Sequence, residues 1–221
     1  MNWFSNIRTT VGERKLATKL KVQSRVTVMR NLYDAQHIGI IYNASENVSF
    51  DIIKDLVKRL SRDAVKVSVL GYVNSKKLPE DYLYRKGFDF FSKTDLNWYS
   101  KPALLAVDQF MQEEFDLLID LSLEDHYPIR YVTALSRSHF KAGRYSENET
   151  YLDFMIDIEK EKQALQEYHK NKNMDEIDLK TGARNDESDF IQDKEIEKQL
   201  KFLIEQLLHY LSIIKVNSAW K

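Results

Sequence analysis

Short apolar runs and longer stretches of helical periodicity alternate along this chain. The apolar runs cover residues 37–42, 64–73, 88–91 and 115–121. The first and the last of them are apolar at almost every position, which is typical of strands covered on both faces of a parallel sheet. A weaker alternation over residues 151–158 predicts a final strand at the edge of that sheet.

Between these runs the apolar residues recur at intervals of three and four, which is the spacing of one helix face. This pattern predicts helices over residues 48–60, 103–113 and 128–138, and Pro128 suits the first turn of the last one. Gly143 is expected to stop that element or to turn the chain after it. The alternation predicts an α/β three-layer sandwich with a mostly parallel, Rossmann-like sheet in the strand order 3-2-1-4-5.

The sequence divides into four segments along its 221 residues. A basic helical leader (1–36) precedes an α/β core domain (37–158). A charged segment (159–195) follows, and part of its composition is typical of disordered chain. Helical periodicity returns in the last segment (196–221), which predicts a C-terminal helix packing on the core. The alternative is a dimerisation helix that would make the protein a homodimer.

Charge is distributed unevenly, although the formal net charge is only −1. Residues 1–30 carry seven basic side chains and one acid, Glu13, which leaves a net of +6. Apolar spacing predicts one or two helices here, interrupted near Gly12. Such a leader could lie on RNA phosphates or on an anionic membrane surface. The alternative is a helix that packs Trp3 and Phe4 on its own domain and leaves its basic face solvated.

Several kinds of chemistry are excluded or have no support in the composition. The absence of cysteine excludes disulfides, thiolate metal sites and cysteine nucleophiles. None of the five histidines has zinc-site spacing, so neither a metal nor a cofactor is predicted. No apolar run reaches the roughly 18 residues of a membrane span, and the first residues lack a signal-peptide core. A cytoplasmic protein is therefore expected.

Polar residues follow two of the predicted strands at their carboxyl ends, where open parallel sheets bind ligands. Asn43 and Ser45 follow the first strand, and Ser122, Asp125 and His126 follow the strand at 115–121. These five residues are the predicted ligand-binding crevice.

The crevice residues do not predict a specific reaction. A carboxylate beside a histidine can act as an acid/base pair, but acidic residues before a helix also favour its positive N-terminus. We therefore predict no catalytic residue. The loop after the first strand, residues 43–47, has no glycine, which argues against a dinucleotide or P-loop phosphate site.

A basic run follows the predicted crevice. Arg130, Arg137, Lys141 and Arg144 alternate with aromatic residues, a composition that suits anion or single-strand binding. They are predicted to contact an anion or a partner. The alternative is a solvated sheet edge with buried aromatic side chains.

The stretch 115–144 resembles the last strand–helix–strand unit in the N-terminal half of heptosyltransferase-type (GT-B) glycosyltransferases. The match covers about thirty residues and is carried by these positions: Asp116, Ile119, Asp120, Leu121, Lys141 and Gly143. The resemblance implies a Rossmann-like fold. It does not imply the activity, because Asn43-Ala44-Ser45 stands where that family has a glycine-rich loop and a catalytic acid. That family also binds its nucleotide-sugar mostly through a second α/β half, for which this chain is too short.

Two functional hypotheses follow. The leading one is a non-catalytic α/β binding protein that contacts RNA or a protein partner through the basic leader and the 130–144 surface. The alternative is a small-anion or nucleotide-binding enzyme that uses the predicted crevice. A role at a membrane surface, through Trp3 and Phe4, is a third hypothesis.

Overall fold

The computed structural model describes residues 3–45, 47–61, 64–147, 151–164 and 184–215. Its five helices of eight residues or more within these ranges and its six strands alternate along the chain. The helices are α1 (Trp3–Val22), α2 (Asn47–Leu60), α3 (Leu105–Gln112), α4 (Tyr127–Leu135) and α5 (Arg184–Ile213). The strands are β1 (His37–Asn43), β2 (Lys66–Val73), β3 (Phe88–Ser92), β4 (Leu117–Asp120), β5 (Phe140–Arg144) and β6 (Phe154–Ile156).

All six strands are parallel and form one sheet in the order β3-β2-β1-β4-β5-β6. The predicted order 3-2-1-4 is confirmed for the first four strands, and the strand predicted at the edge, 151–158, is β6. The strand β5, which the apolar pattern did not predict, lies between β4 and β6. At the centre, Ile38 lies opposite Leu117 and Ile40 opposite Ile119. The two central strands are buried along nearly their whole length, which explains why they are apolar at successive positions rather than at every second one.

Helices cover both faces of the sheet, so the predicted three-layer sandwich is confirmed. Ile38 and Ile40 of β1 belong to the core cluster that α2 and α5 cover. Ile41 belongs to the opposite cluster, which α1, α3 and α4 complete. Gly39 lies against the Phe115 ring, and a Cβ there would come within 2.8 Å of it, so glycine lets this aromatic ring lie flat against β1.

The leader helix α1 is continuous over 20 residues, so the predicted interruption near Gly12 is wrong. Gly12 is instead the point of close contact with α4. The Tyr127 hydroxyl donates to the Gly12 carbonyl at 2.8 Å, and a Cβ on Gly12 would lie 2.9 Å from the Tyr127 ring. Leu16 is 4% exposed. The helix therefore packs on its own domain, while the side chains of Trp3 and Phe4 lie outside the described residues.

Residues 23–36, which we call the strap, connect α1 to β1 and run past the amino ends of the strands. The Gln23 side chain donates to the Leu135 carbonyl at the end of α4. Arg25 forms a two-point ion pair with Asp153, with both distances below 2.8 Å. The Leu32 N–H donates to the Leu211 carbonyl of α5. The strap thus joins the two helical layers.

The C-terminal helix begins earlier than the sequence pattern predicts. It starts at Arg184, so its first two turns or more lie in the segment that composition describes as charged and partly disordered. Glutamate, lysine and glutamine are strong helix formers without any apolar face. Residues 159–164 of that segment are also helical, and residues 165–183 lie outside the described residues. No helix in the described part of the chain is long and apolar enough to cross a membrane.

Gly143 does not stop an element, as the sequence suggested, but lies within β5 opposite Asp120. A Cβ at this position would lie 3.0 Å from the Asp120 carbonyl oxygen. Glycine therefore permits a close backbone approach here. The preceding helix ends at Leu135 rather than at residue 138, which leaves residues 136–139 as an extended connection to β5.

Candidate functional site

A cavity of about 560 Å³ lies at the carboxyl ends of β1, β2 and β4. The strand order reverses between β1 and β4, and such a switch point is where open α/β sheets bind ligands. We call it the switch cavity. Its lining residues are Asn43, Ser45, Ser49, Asn74, Leu121, Leu123, Glu124, His126, Lys162, Gln192, Glu195, Ile196, Gln199 and Leu200.

The structure brings three of the five predicted crevice residues to this cavity: Asn43, Ser45 and His126. Ser122 and Asp125 line a neighbouring cleft of about 10 Å³, a volume close to that of one water molecule. The strand-end rule therefore found the correct edge of the sheet, but two of its residues face the smaller space.

Asn43 and Ser45 are held by one another and by the end of β2. The Asn43 Oδ1 accepts the Ser45 N–H at 3.1 Å and the Ser45 hydroxyl at 2.6 Å. The Ser45 Oγ in turn accepts the Asn74 N–H at 2.8 Å. Because both Ser45 donors point to Oδ1, the amide orientation of Asn43 is determined, and its Nδ2 points the other way.

His126 lies next to that amide nitrogen, with its Nε2 3.3 Å from the Asn43 Nδ2. An amide nitrogen only donates, so Nε2 is the acceptor and the proton is on Nδ1. Burial lowers the pKa of His126 below its ordinary value, and the carboxylates of Glu124 and Asp125 oppose this to a smaller extent. The Tyr72 ring lies edge-on at 5.8 Å. His126 is therefore a neutral, oriented imidazole at pH 7.

Two buried polar side chains of the lining lack a protein partner. Ser49 is 4% exposed and Gln199 is 8% exposed, and both line the switch cavity. Neither side chain has a hydrogen bond to any residue that the structure describes. Their polar atoms are not among the enclosed side-chain atoms without a partner in this part of the chain, so they reach the cavity. Solvent or a ligand in the cavity is their source of partners.

The charges of the lining are mixed. Glu124 and Glu195 are acidic and Lys162 is basic, and the other polar lining residues are neutral at pH 7. No glycine is among the lining residues, although close approach of backbone N–H groups to a phosphate depends on glycine. The composition thus suits neutral or positively charged polar groups better than phosphate.

Asp120 ends β4 just outside the switch cavity and is satisfied by the protein itself. Its carboxylate accepts the Ser122 N–H at 3.0 Å and the Thr133 hydroxyl at 2.8 Å. Burial raises the pKa of Asp120, and the hydrogen bonds from Ser122 and Thr133 and the charge of Arg144 oppose that shift. This residue of the glycosyltransferase-like motif ties the end of β4 to α4.

The four residues of the predicted basic surface, Arg130, Arg137, Lys141 and Arg144, have different environments in the structure. Arg130 pairs with Glu13 and with Asp125. The Arg144 Nε donates to the Ser122 carbonyl at 3.3 Å. Arg137 is exposed.

Lys141 in particular cannot reach a partner from its position, since it is only 1% exposed. Its Nζ donates to the Ala134 carbonyl at 2.8 Å, which caps the C-terminus of α4. Burial, together with the smaller effect of the Arg25 charge, lowers the pKa of Lys141 to about 7, while the Asp153 carboxylate opposes that shift. The charge of Lys141 predicts a surface residue, but its position in β5 directs the side chain toward α4.

Sequence reasoning missed most of the lining. Asn74 directly follows β2, so the rule that found Asn43 would also have found Asn74. Ser49 lies in the first turn of α2, and Lys162, Gln192 and Gln199 come from far along the chain. No local pattern marks these positions, because only the packing of α5 on the sheet brings them together. Among the described residues, no group of three or more His, Asp or Glu could hold a metal ion.

Comparison with protein families gives one match. Residues 8–171 match DUF6913, a family of unknown function. A search of curated proteins finds no match. These comparisons do not show the resemblance to heptosyltransferase-type glycosyltransferases that the motif around Asp116 and Asp120 suggested.

Proposed function

The chain belongs to this family of unknown function, and we propose that it binds a small polar molecule, neutral or positively charged, in the switch cavity. The observation that carries the proposal is the pair of polar side chains with little exposed surface and no protein partner among the described residues, Ser49 and Gln199, in a cavity of about 560 Å³ at the switch point. A ligand would replace the cavity solvent as the hydrogen-bond partner of both groups.

The chemistry of the lining supports the class of ligand. Ligand groups that donate hydrogen bonds suit the carboxylates of Glu124 and Glu195, and those that accept them suit Lys162 and the Gln199 amide. Leu123 and Ile196 add apolar surface. A compact molecule with hydroxyl, amide or amine groups around a small hydrocarbon frame fits this pattern.

Binding without chemistry is the form of the proposal that the geometry favours. The Nε2 of His126 faces the Asn43 amide rather than a hydroxyl that it could activate. Of the two carboxylates beside His126 in the sequence, Asp125 instead accepts from Arg130 at 2.7 Å. The Glu124 carboxylate lies 3.8 Å from the His126 Nε2, which is beyond hydrogen-bond distance.

A second candidate function is contact with RNA or a protein through the leader. It is favoured by the exposed basic side chains of α1 at Arg8, Arg14, Lys15, Lys19 and Lys21. The 130–144 stretch contributes little to it, because Lys141 is buried and Arg130 is paired.

Thermal denaturation of the full chain, with and without candidate ligands, tests the cavity proposal. The panel contains sugars and polyols, amino acids, amines and nucleosides, set against inorganic phosphate and nucleotides. A ligand at about 100 times its Kd adds about 2.7 kcal/mol, which raises the Tm of a chain of this size by roughly 5–10 °C. A shift with polyols or amines and none with phosphate is expected.

The matched variants are Gln199→Ala, which changes the lining, and Gln109→Ala, which removes an exposed glutamine from α3. The first should abolish the ligand-induced shift and the second should preserve it. No shift with any compound, or a shift that Gln199→Ala leaves unchanged, would contradict the proposal.

A further inference from the structure

An exposed tryptophan stands at the tip of a tightly closed turn beside the leader helix. Trp98 is 59% exposed and packs edge-on against Tyr99, with ring centroids 5.3 Å apart. The turn is closed by a bridge between Leu96 and Pro102. Asn97 also accepts the N–H groups of Tyr99 and Lys101 through its Oδ1. The indole is therefore presented to solvent by a rigid scaffold.

A shallow depression of about 400 Å³ adjoins this indole. It is lined by Trp98 and Leu96 from the turn, by Asn97, and by Ile7 and Arg8 from α1. The Asn97 Oδ1 is used by the turn, which leaves the Nδ2 donors for another molecule. Within one small area the depression thus presents the flat indole of Trp98, the Asn97 amide and the Arg8 guanidinium.

Basic side chains continue from this depression along α1. Lys15 and Lys19 are exposed, and their ammonium groups lie 5.5 Å from the rings of Tyr99 and Tyr131. Glu13 is the only acid within α1, and it is paired with Arg130. The helix therefore presents positive charge without local compensation. From Arg8 to Lys19 the axis rises about 16 Å.

We infer that this surface, Arg8, Lys15, Lys19, Asn97 and Trp98, binds single-stranded nucleic acid. One base stacks on Trp98, and the Asn97 amide donates to its edge. The phosphates that follow lie along the basic side chains of α1. Stacking on an aromatic ring next to a positively charged track is the general mode of single-strand binding.

A lipid surface fits the same observations less well. Membrane-bound helices insert a continuous apolar face, whereas the apolar side chains here line a depression and α1 exposes basic residues around it. A depression accepts a planar ring. The surface also lies on the opposite side of the sheet from α2 and α5, so its ligand is independent of the proposed occupant of the switch cavity.

Fluorescence anisotropy of a labelled 20-nucleotide RNA of mixed sequence, titrated with the full chain, tests the inference. Trp98→Ala should weaken binding by roughly 5- to 150-fold, the range for loss of one stacked base. The matched control is Tyr84→Ala, which removes an aromatic residue that is 82% exposed elsewhere and should leave affinity unchanged. Absence of RNA binding, or equal affinity in Trp98→Ala, would overturn the inference.

The salt dependence of the same titration tests the charged track. The triple variant Arg8→Gln, Lys15→Gln and Lys19→Gln should reduce the slope of log affinity against log salt by about two. Its control replaces three exposed lysines of α2 and α5 by glutamine, Lys54, Lys58 and Lys201, and should preserve the slope. Sedimentation with phosphatidylserine vesicles but no RNA binding would assign the surface to membranes instead.

Discussion

Two sets of buried polar side chains differ in whether the protein itself supplies their hydrogen-bond partners. In the β4–β5 region, Asp120 and Lys141 are buried and bonded to Thr133, Ser122 and Ala134 within the protein. In the switch cavity, Ser49 and Gln199 have little exposed surface and no protein partner among the described residues, and their polar atoms reach the cavity. The buried charged residues Asp120 and Lys141 thus stabilise the fold, while the neutral residues Ser49 and Gln199 line the candidate site.

The difference shows that charge is a poor guide to a site when considered without its partners. A buried carboxylate or ammonium is tolerated only where the fold supplies hydrogen bonds. A neutral amide or hydroxyl costs less to leave unpaired, so a protein can keep it free for a ligand. Four outcomes, ordered from the largest effect to the smallest, would sharpen or break this comparison.

Asp120→Ala should cause the largest loss of stability. It leaves the Ser122 N–H and the Thr133 hydroxyl buried without an acceptor, at about 1–3 kcal/mol each, so we expect a loss of roughly 2–5 kcal/mol. Urea denaturation followed by circular dichroism measures it. Asp120→Asn keeps one acceptor oxygen and should lose less. A loss below about 1 kcal/mol would mean that this region does not depend on the carboxylate.

Lys141 should make stability depend on pH in the mildly alkaline range. Its pKa is lowered from 10.5 to about 7 in the folded protein, so the unfolded chain binds more protons between these values. Stability therefore rises with pH there, by about 2 kcal/mol from pH 7 to pH 9. Urea midpoints at the two pH values measure the rise. Lys141→Met should remove it, and an unchanged rise in that variant would contradict the assignment.

Gln199→Leu should not lower the free energy of unfolding, whereas Asp120→Ala should lower it. Replacing an unpartnered buried amide by an apolar side chain of similar size should leave stability unchanged or raise it by about 1 kcal/mol. The same variant should abolish the ligand-induced rise in Tm. A loss of more than about 1 kcal/mol would show that the Gln199 amide stabilises the fold, as Asp120 does.

The pKa and the tautomer of His126 should differ from those of a solvent-exposed histidine. Because burial lowers its pKa, it should titrate below the ordinary histidine value of 6.5, and the ring should carry its proton on Nδ1 at neutral pH. Its stabilising contribution is then present above pH 6.5 and is lost as the pH falls through the lowered pKa. Nitrogen-15 NMR of the ring measures both properties. An Nε2-protonated ring would contradict the contact with Asn43.

The order of the first four strands and the presence of an edge strand at 151–158 were predictable, whereas β5 was not, because Lys141, Gly143 and Arg144 interrupt its apolar pattern. The runs at 37–42 and 115–121 became the central strands β1 and β4, since a strand buried on both faces must be apolar at successive positions. The start of α5 at Arg184 was not predictable from apolar spacing, because its first turns have few core residues. The close contact between Gly12 and Tyr127 was not predicted either, because a glycine within a helical pattern predicts an interruption of the helix.

The candidate site was predictable only where it follows the ends of strands. Asn43, Ser45 and His126 were found in this way, and Asn74 could have been. Ser122 and Asp125 follow the same strand but face the small cleft, because the backbone after β4 bends around the Asp120 carboxylate. The direction of a loop side chain depends on such hydrogen bonds and not on its distance from the strand.

The sequence by itself determined five of the six strands and their parallel sheet, because apolar periodicity is a property of neighbouring residues. The tertiary structure alone decided that Lys141 caps α4, that Arg130 is neutralised by Glu13 and Asp125, and that Gln199 reaches the ends of β1 and β4. The physical reason is that the role of a polar group depends on whether distant parts of the chain satisfy its hydrogen bonds. That becomes known only when the helices are packed on the sheet.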